Sequence, residues 1–221
     1  MDRPLAAVFD LDGTLVDNMR YHGDAWLALG RRLGSPATRD DFEHRWAGKK
    51  ADEIFFYLLG RAPTAEESAR LQEEKETAYR DSYRPHVEPL AGLLPFLDRL
   101  RRAGLRLAVA TAAPEGNRDL VLRPLGLQGA FEAVVGPEAA AHGKPAPDIY
   151  LGAARALGLD PSRCLAFEDA VNGVLSARAA GMEVVGVLTA ADAGDLVAAG
   201  ARFTIRDYTA LPADLEGLLF G

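Results

Sequence analysis

Two aspartates, Asp10 and Asp12, stand at the end of a short apolar run and are followed at once by Gly13 and Thr14. Other groups able to do chemistry stand in the same relation to later apolar runs. Thr111 follows 105–110, Lys144 lies beyond 132–135, and Glu168-Asp169 follow 164–167. In an open parallel sheet the carboxyl ends of the strands converge on one crevice, so these residues are expected to meet. Four carboxylates, a hydroxyl and an ammonium are costly to bury together unless a divalent cation and an anionic ligand share the charge. An all-oxygen donor set with neither Cys nor His favours Mg²⁺ over zinc. A cation facing a lysine and a threonine suits a phosphoryl group, whose charge the two cations could neutralise.

The elements that must position these residues are legible as short Val-, Leu- and Ala-rich runs, the pattern of strands buried on both faces. They fall at 5–9, 105–110, 132–135, 164–167 and 183–188, with a weaker one at 202–205. Helical stretches at 90–103, 115–125, 147–157 and 172–180 alternate with them, and Gly104, Gly126, Gly158 and Gly181 follow these helices where a left-handed cap wants glycine. The segments 189–194 and 206–208 read as plain connections. The expected fold is an α/β, Rossmann-like open parallel sheet flanked by helices.

One connection is far too long. After the first strand about 75 residues pass before the βα pattern resumes, where roughly 2–6 would be usual. Helix-like patterning at 25–33, 54–59 and 65–83 marks this as a small all-helical cap over the sheet edge. The expected division is a core of 1–16 and 88–221 and a cap of 17–87. Asp17 is expected to N-cap the first cap helix. Glu66, Glu67, Glu73, Glu74 and Glu76 read as a solvated helix face, and Lys49, Lys50 and Lys75, taken singly, as solvated surface.

Composition excludes several classes. The net charge is −7, which argues against a non-specific nucleic-acid binder. A single cysteine, Cys164, forbids an internal disulfide. No apolar run approaches the length of a membrane span, and the N-terminal segment is too short and too soon acidic for a signal peptide. A soluble, cytoplasmic protein is expected, and nothing in the sequence demands more than a monomer. The Gly-x-Gly-x-x-Gly, P-loop, Gly-x-Ser-x-Gly and His-Glu-x-x-His patterns are missing, so dinucleotide, P-loop, serine-hydrolase and zincin chemistries are not expected.

The run Phe9-Asp10-Leu11-Asp12-Gly13-Thr14-Leu15-Val16-Asp17, then Thr111, Lys144-Pro145 and Glu168-Asp169, resembles in order the four motifs of the haloacid dehalogenase (HAD) superfamily. The resemblance covers the whole chain, the helical insert included. Tyr21-His22, Trp26 and Phe167-Glu168-Asp169-Ala170-Val171-Asn172-Gly173 are most similar to the subfamily of β-phosphoglucomutase-like proteins and sugar-phosphate phosphatases. The resemblance implies that Asp10 is the nucleophile, carried through an aspartyl-phosphate, and that Asp12 is the general acid and base, a role expected to need a raised pKa. It further implies Mg²⁺ held by Asp10, the Asp12 carbonyl and Asp169, with Glu168 beside or among the ligands, and phosphoryl oxygens held by Thr111 and Lys144. Gly13 would turn the backbone sharply and leave amides for the phosphate.

On the substrate side the resemblance points to Gly13, Thr14, His22, Trp26, Gly48, Lys49, Lys50, Lys75, Ala112 and Asn172. The implied partner is a small phosphorylated metabolite, with a sugar phosphate foremost, and the implied activity is a phosphatase. The rival is a β-phosphoglucomutase, which returns the phosphoryl group to the sugar; a binding protein without turnover is the remote third reading. Where the mutase carries an arginine for the second phosphate of its bisphosphate intermediate, this chain has Ala51.

Overall fold

The computed structural model describes residues 3–46 and 51–221. Of the expected substrate-side residues, Gly48, Lys49 and Lys50 lie outside the described residues. Six strands, β1 (Ala6–Phe9), β2 (Arg106–Ala110), β3 (Ala133–Val135), β4 (Cys164–Glu168), β5 (Glu183–Val187) and β6 (Phe203–Ile205), pair in parallel in the order β3-β2-β1-β4-β5-β6. The chain builds outward from β1 on one side and then from β4 on the other. The carboxyl ends of β1 and β4 therefore flank the topological switch point, where such sheets bind ligands.

Alternate residues of each strand feed two different cores. Phe9, Leu107, Val109, Leu165 and Phe167 face one layer, with α4 (Leu93–Arg102), α5 (Glu115–Leu122) and α9 (Ala213–Phe220). Ala6, Val8, Ala108, Ala110, Cys164 and Ala166 face the other, with α6 (Asp148–Ala156), α7 (Val171–Ala179) and α8 (Ala193–Ala198). Burial on both faces is why the strands read as unbroken apolar runs. Helix α4 buries Leu93, Phe96, Leu97 and Leu100, the spacing of one helix face. Phe9 stacks on Phe167 of the neighbouring strand, centroids 4.6 Å apart, and this pins β1 to β4 directly below the switch point.

Between β1 and β2 the chain forms α1 (Met19–Arg32), a π-helical turn at Asp41–Trp46, α2 (Ala51–Leu59) and α3 (Ala65–Tyr83). These carry their own apolar cluster, with Trp26, Leu29, Phe42, Trp46, Ile54, Phe55, Leu58 and Leu71 buried together. The outgoing and returning connections run side by side, the Leu90 N–H donating to the Leu15 carbonyl at 2.8 Å.

Three local expectations are corrected. Helix α1 begins at Met19, well before 25, and its N-cap position is Asn18 and not Asp17, which is exposed. The Asn18 side chain does not cap the helix; it turns toward Asp12 and Gly13. Residues 189–194 are not all coil, because Asp192 caps α8 by accepting the Asp195 N–H at 2.9 Å, and α9 is a helix the sequence reading did not place. Among the described residues no helix is long and apolar enough to cross a membrane.

Candidate active site

Asp10 follows β1 directly, its N–H bonded to the Phe167 carbonyl at 3.0 Å, so its side chain is set by sheet geometry. Its Oδ1 accepts from Lys144 Nζ at 2.7 Å. The same ammonium donates to Glu168 Oε1 and, at 3.4 Å, to the Ala110 carbonyl. Glu168, the last residue of β4, is heavily engaged. Its Oε1 also accepts from the Tyr150 hydroxyl at 2.7 Å, and its Oε2 accepts the Asp169 and Ala170 N–H groups at 3.1 and 3.4 Å. Asp169 differs, for its buried Oδ2 has no partner. Carboxylate oxygens of Asp10, Glu168 and Asp169 all lie within 4.8 Å of one another.

Three buried carboxylates around one ammonium leave an excess of negative charge, and the titration of the site reflects it. Burial pushes Asp10 up to about 8, with Lys144 pulling down and Glu168 and Asp12 pushing up. Asp169 is raised well above the carboxylate range, by burial and then by Glu168 and Asp10. Burial opposes the charge on Lys144, yet Asp10 and Glu168 more than offset it and hold its pKa above the lysine value. The orphaned Asp169 oxygen, in an all-oxygen cluster with surplus negative charge, fits a small hard cation.

Asp12 behaves in the opposite way. Burial would raise its pKa, but His22, then Asn18 and Lys75, outweigh it and the carboxyl lies below its ordinary value. The expectation of a raised Asp12 is therefore corrected: its nearest neighbours are donors and cations. His22 Nε2 is 3.5 Å from Asp12 Oδ2, and Asn18 Nδ2 donates to Oδ1 at 2.6 Å. Lys75 Nζ, 2.8 Å from His22 Nδ1, has no lone pair when charged, so Nδ1 accepts and the ring proton sits on Nε2, facing Asp12. His22 also stacks on Tyr79, centroids 3.7 Å apart.

A cavity of about 370 Å³ opens over this edge, within the range of small-molecule sites. Asp10, Asp12, Thr111, Ala112, Lys144, Glu168 and Asp169 line its base, and His22, Trp26 and Lys75 its helical wall. Thr111 is buried at the end of β2, its Oγ1 accepting the Ala113 N–H at 3.0 Å and keeping its own proton to donate. Gly13, Thr14 and Asn172 do not line the cavity. Gly13 makes the expected turn with φ +74°, but its N–H is already given to Asn18 Oδ1 at 3.1 Å and is not left for a ligand. A side chain there would drive into the Asp169 carboxylate, 1.8 Å from its Oδ2. Thr14 is fully buried, its carbonyl accepting from the Tyr208 hydroxyl.

Lys75 and Glu76 correct the surface reading. Both are buried, paired at 3.0 Å, and both line the cavity. The overlooked signal is an i, i+4 ladder along α3 in which Leu71, Lys75, Tyr79 and Tyr83 are all buried, a lysine set in an otherwise apolar stripe. Asn18, Tyr150 and Asn117 also escaped the sequence reading, since nothing in their local sequence distinguishes them; only tertiary folding brings them to the site.

A parallel α/β sheet that gathers an aspartate pair, a buried lysine and two further acidic residues at its switch point, under a helical insert, defines the class. The chain belongs to the haloacid dehalogenase-like hydrolase family, whose sequence profile matches residues 5–181. It is 35% identical over 188 residues to a beta-phosphoglucomutase of Bacillus subtilis, covering 82% of each chain. It is 34% identical over 190 residues to the fructose-1-phosphate phosphatase YqaB of Escherichia coli, covering 84% of this chain and 97% of the relative. Among solved structures, a family IA, variant 3 HAD hydrolase of Entamoeba histolytica superposes with a TM-score of 0.87 over 100% of both chains at 25% identity.

Proposed function

We propose that the protein is a Mg²⁺-dependent phosphatase that hydrolyses a small phosphorylated metabolite, foremost a sugar phosphate, through an aspartyl-phosphate on Asp10. The observation that carries this reading is the Lys144 ammonium 2.7 Å from Asp10 and bonded to Glu168, beside the unpartnered oxygen of Asp169. That arrangement holds a buried carboxylate ready to meet a phosphoryl group and leaves a place for a cation. Residues 17–87 act as the cap and 1–16 with 88–221 as the core. The one buried, unpaired thiol, Cys164, and the acidic net charge accord with a cytoplasmic monomer that has no nucleic-acid partner.

In the first step Asp10, whose raised pKa a bound cation would lower so that it is present as the carboxylate, attacks phosphorus through one oxygen, the bond from phosphorus to the leaving oxygen breaks, and Asp12 gives that oxygen its proton. Asp12 is ionised in the arrangement described, so it takes up this proton as a phosphoryl dianion settles beside it and opposes the pull of His22. In the second step Asp12 takes a proton from water, the water oxygen attacks phosphorus, and the bond to Asp10 breaks to release inorganic phosphate. Thr111 and Lys144 hold phosphoryl oxygens throughout. Asp10, Asp169 and the Asp12 carbonyl would hold Mg²⁺, with Glu168, its oxygens already occupied by four donors, fixing Lys144 behind them. The cation would offset charge on Asp10 and the phosphoryl oxygens.

The mutase reading draws on the beta-phosphoglucomutase relative and on Lys75 in the cavity wall. Ala51 weighs against it, since it lines the cavity and offers no guanidinium to a second phosphate. The test is a screen of phosphate monoesters with and without Mg²⁺, with Asp10→Asn in parallel. Trapped phosphoenzyme and phosphate release should be present in the wild type and lost in the variant. With β-glucose 1-phosphate and a trace of bisphosphate, phosphate should outpace glucose 6-phosphate, and the reverse order would establish the mutase.

A further inference from the structure

We propose that Glu76 reads hydroxyl groups on the non-reacting part of the substrate, making the site selective for polyhydroxylated phosphate monoesters over alkyl phosphates of the same length. This rests on the phosphatase reading and extends it to the substrate's organic half.

Glu76 lines the same cavity as Asp10 and Asp12, with its side chain only 11% exposed. It is held from two elements. Lys75 Nζ donates to Oε1 at 3.0 Å from α3, and Asn117 Nδ2 donates to Oε2 at 2.7 Å from α5. Asn117 is itself engaged through Oδ1 by Arg80 at 3.4 Å. Each carboxylate oxygen accepts about two hydrogen bonds, so each retains one acceptor position after its protein partner is counted. Two such positions on one rigid planar group match the O–H groups of a vicinal diol.

Charge decides what the carboxylate is for. Lys75 already neutralises it, so it does not call for a cationic ligand, and its remaining demand is for neutral donors. Lys75 carries three N–H groups and directs two of them, to Glu76 and to His22 Nδ1, which leaves one for a hydroxyl oxygen. A buried pair with one acceptor on each oxygen and one donor left over suits a polyol chain, every hydroxyl of which both gives and takes. The neighbouring walls from Trp26 and Ile54 supply apolar surface for its C–H groups. An alkyl chain in the same place would leave the acceptors of Glu76 dry, the circumstance in which sites discriminate most strongly against a missing hydroxyl.

The experiment compares kcat/KM for hexitol 6-phosphate and hexyl phosphate, with p-nitrophenyl phosphate reporting that the reacting centre works. The wild type should prefer the hexitol ester by about 100-fold or more. Glu76→Gln, which replaces one acceptor by a donor, should shrink that ratio about tenfold or more, chiefly through KM for the hexitol ester. Asn117→Ala, which releases one oxygen from its anchor, should shrink it less. Should Glu76→Gln fail to fold by thermal melting, the Asn117→Ala ratio decides. A wild type indifferent to the hydroxyls, or a variant that loses equally on both esters, would overturn the proposal. A wild type inactive on p-nitrophenyl phosphate would instead defeat the phosphatase reading, and calorimetric titration with the hexitol and hexyl esters would then decide the role of Glu76 separately.

Discussion

Asn18 Nδ2 lies 2.6 Å from Asp12 Oδ1 and 2.7 Å from the Tyr79 hydroxyl, while Asn18 Oδ1 accepts the Gly13 N–H. One buried side chain thus ties the second aspartate of the motif to the turn that follows it and to a helix of the insert. Its position before α1 is that of a helix cap, yet it spends its hydrogen bonds on Asp12. The orientation of Asp12 is set from outside its own strand.

Asn18→Ala should therefore impair proton transfer more than phosphoryl binding. Loss of a hydrogen bond to a charged group costs about 1.5–3 kcal/mol, equivalent to roughly 10–100-fold in rate. The loss should be larger on an alkyl phosphate, whose leaving oxygen needs a proton, than on p-nitrophenyl phosphate. Equal losses in kcat on the two esters would assign Asn18 to shaping the Gly13 turn alone.

Lys144→Met should both abolish turnover and destabilise the fold. Removing the ammonium leaves Asp10 and Glu168 facing each other without their shared donor, and breaking a buried ion pair in this way costs about 3–5 kcal/mol. Urea denaturation of the metal-free protein should show the midpoint falling with the slope unchanged. An unchanged midpoint would mean that the carboxylates find other partners.

The raised carboxylates give the metal-free protein a distinctive pH dependence. Asp10 titrates near 4 in the unfolded chain and at about 8 in the folded one, and Asp169 is raised in the same direction. Each therefore contributes stability that is present below pH 4 and lost as pH rises through the folded pKa. The melting temperature in chelator should fall between pH 6 and pH 9. Mg²⁺ should restore it, with a larger increment at pH 8 than at pH 6, where it competes with protons; a site at 100 times its Kd gains about 2.7 kcal/mol. A pH-independent increment in differential scanning calorimetry would show that the cation does not bind at these carboxylates.

The strands were legible as short apolar runs, among which β1, β2 and β4 end at or run straight into a polar residue, and the parallel sheet then fixes where those ends go. The outcome for Asp10, Thr111, Glu168 and Asp169 follows from that rule, whereas Lys144, nine residues past β3, is brought in by the loop that follows it. The helical wall was harder to read. Glu76 sits in a run with Glu73 and Glu74, and charge density alone places all three in water, whereas the helix turns Glu76 inward beside Lys75. The sense of the Asp12 shift was also illegible, because the groups that set it, His22 of α1, Asn18 just before it and Lys75 of α3, are brought together only by tertiary docking. Helix α8 escaped because six residues carry too little periodicity to register.

Strand β1 is made first and completed last. Ala6 pairs with Arg106 on one side and Cys164 on the other, so neither partner exists while the ribosome is producing the helical insert. The insert, by contrast, draws its buried cluster from Trp26 to Leu71 and is complete long before the sheet can close. During synthesis the Ala6–Phe9 strand, fully buried in the finished molecule, has no strand partner until 106–109 and then 164–167 have been made. The centre of the sheet is thus the part whose partners are separated most widely along the chain, and the aspartate at the end of that strand has Lys144, Glu168 and Asp169 beside it only once the last third of the chain exists.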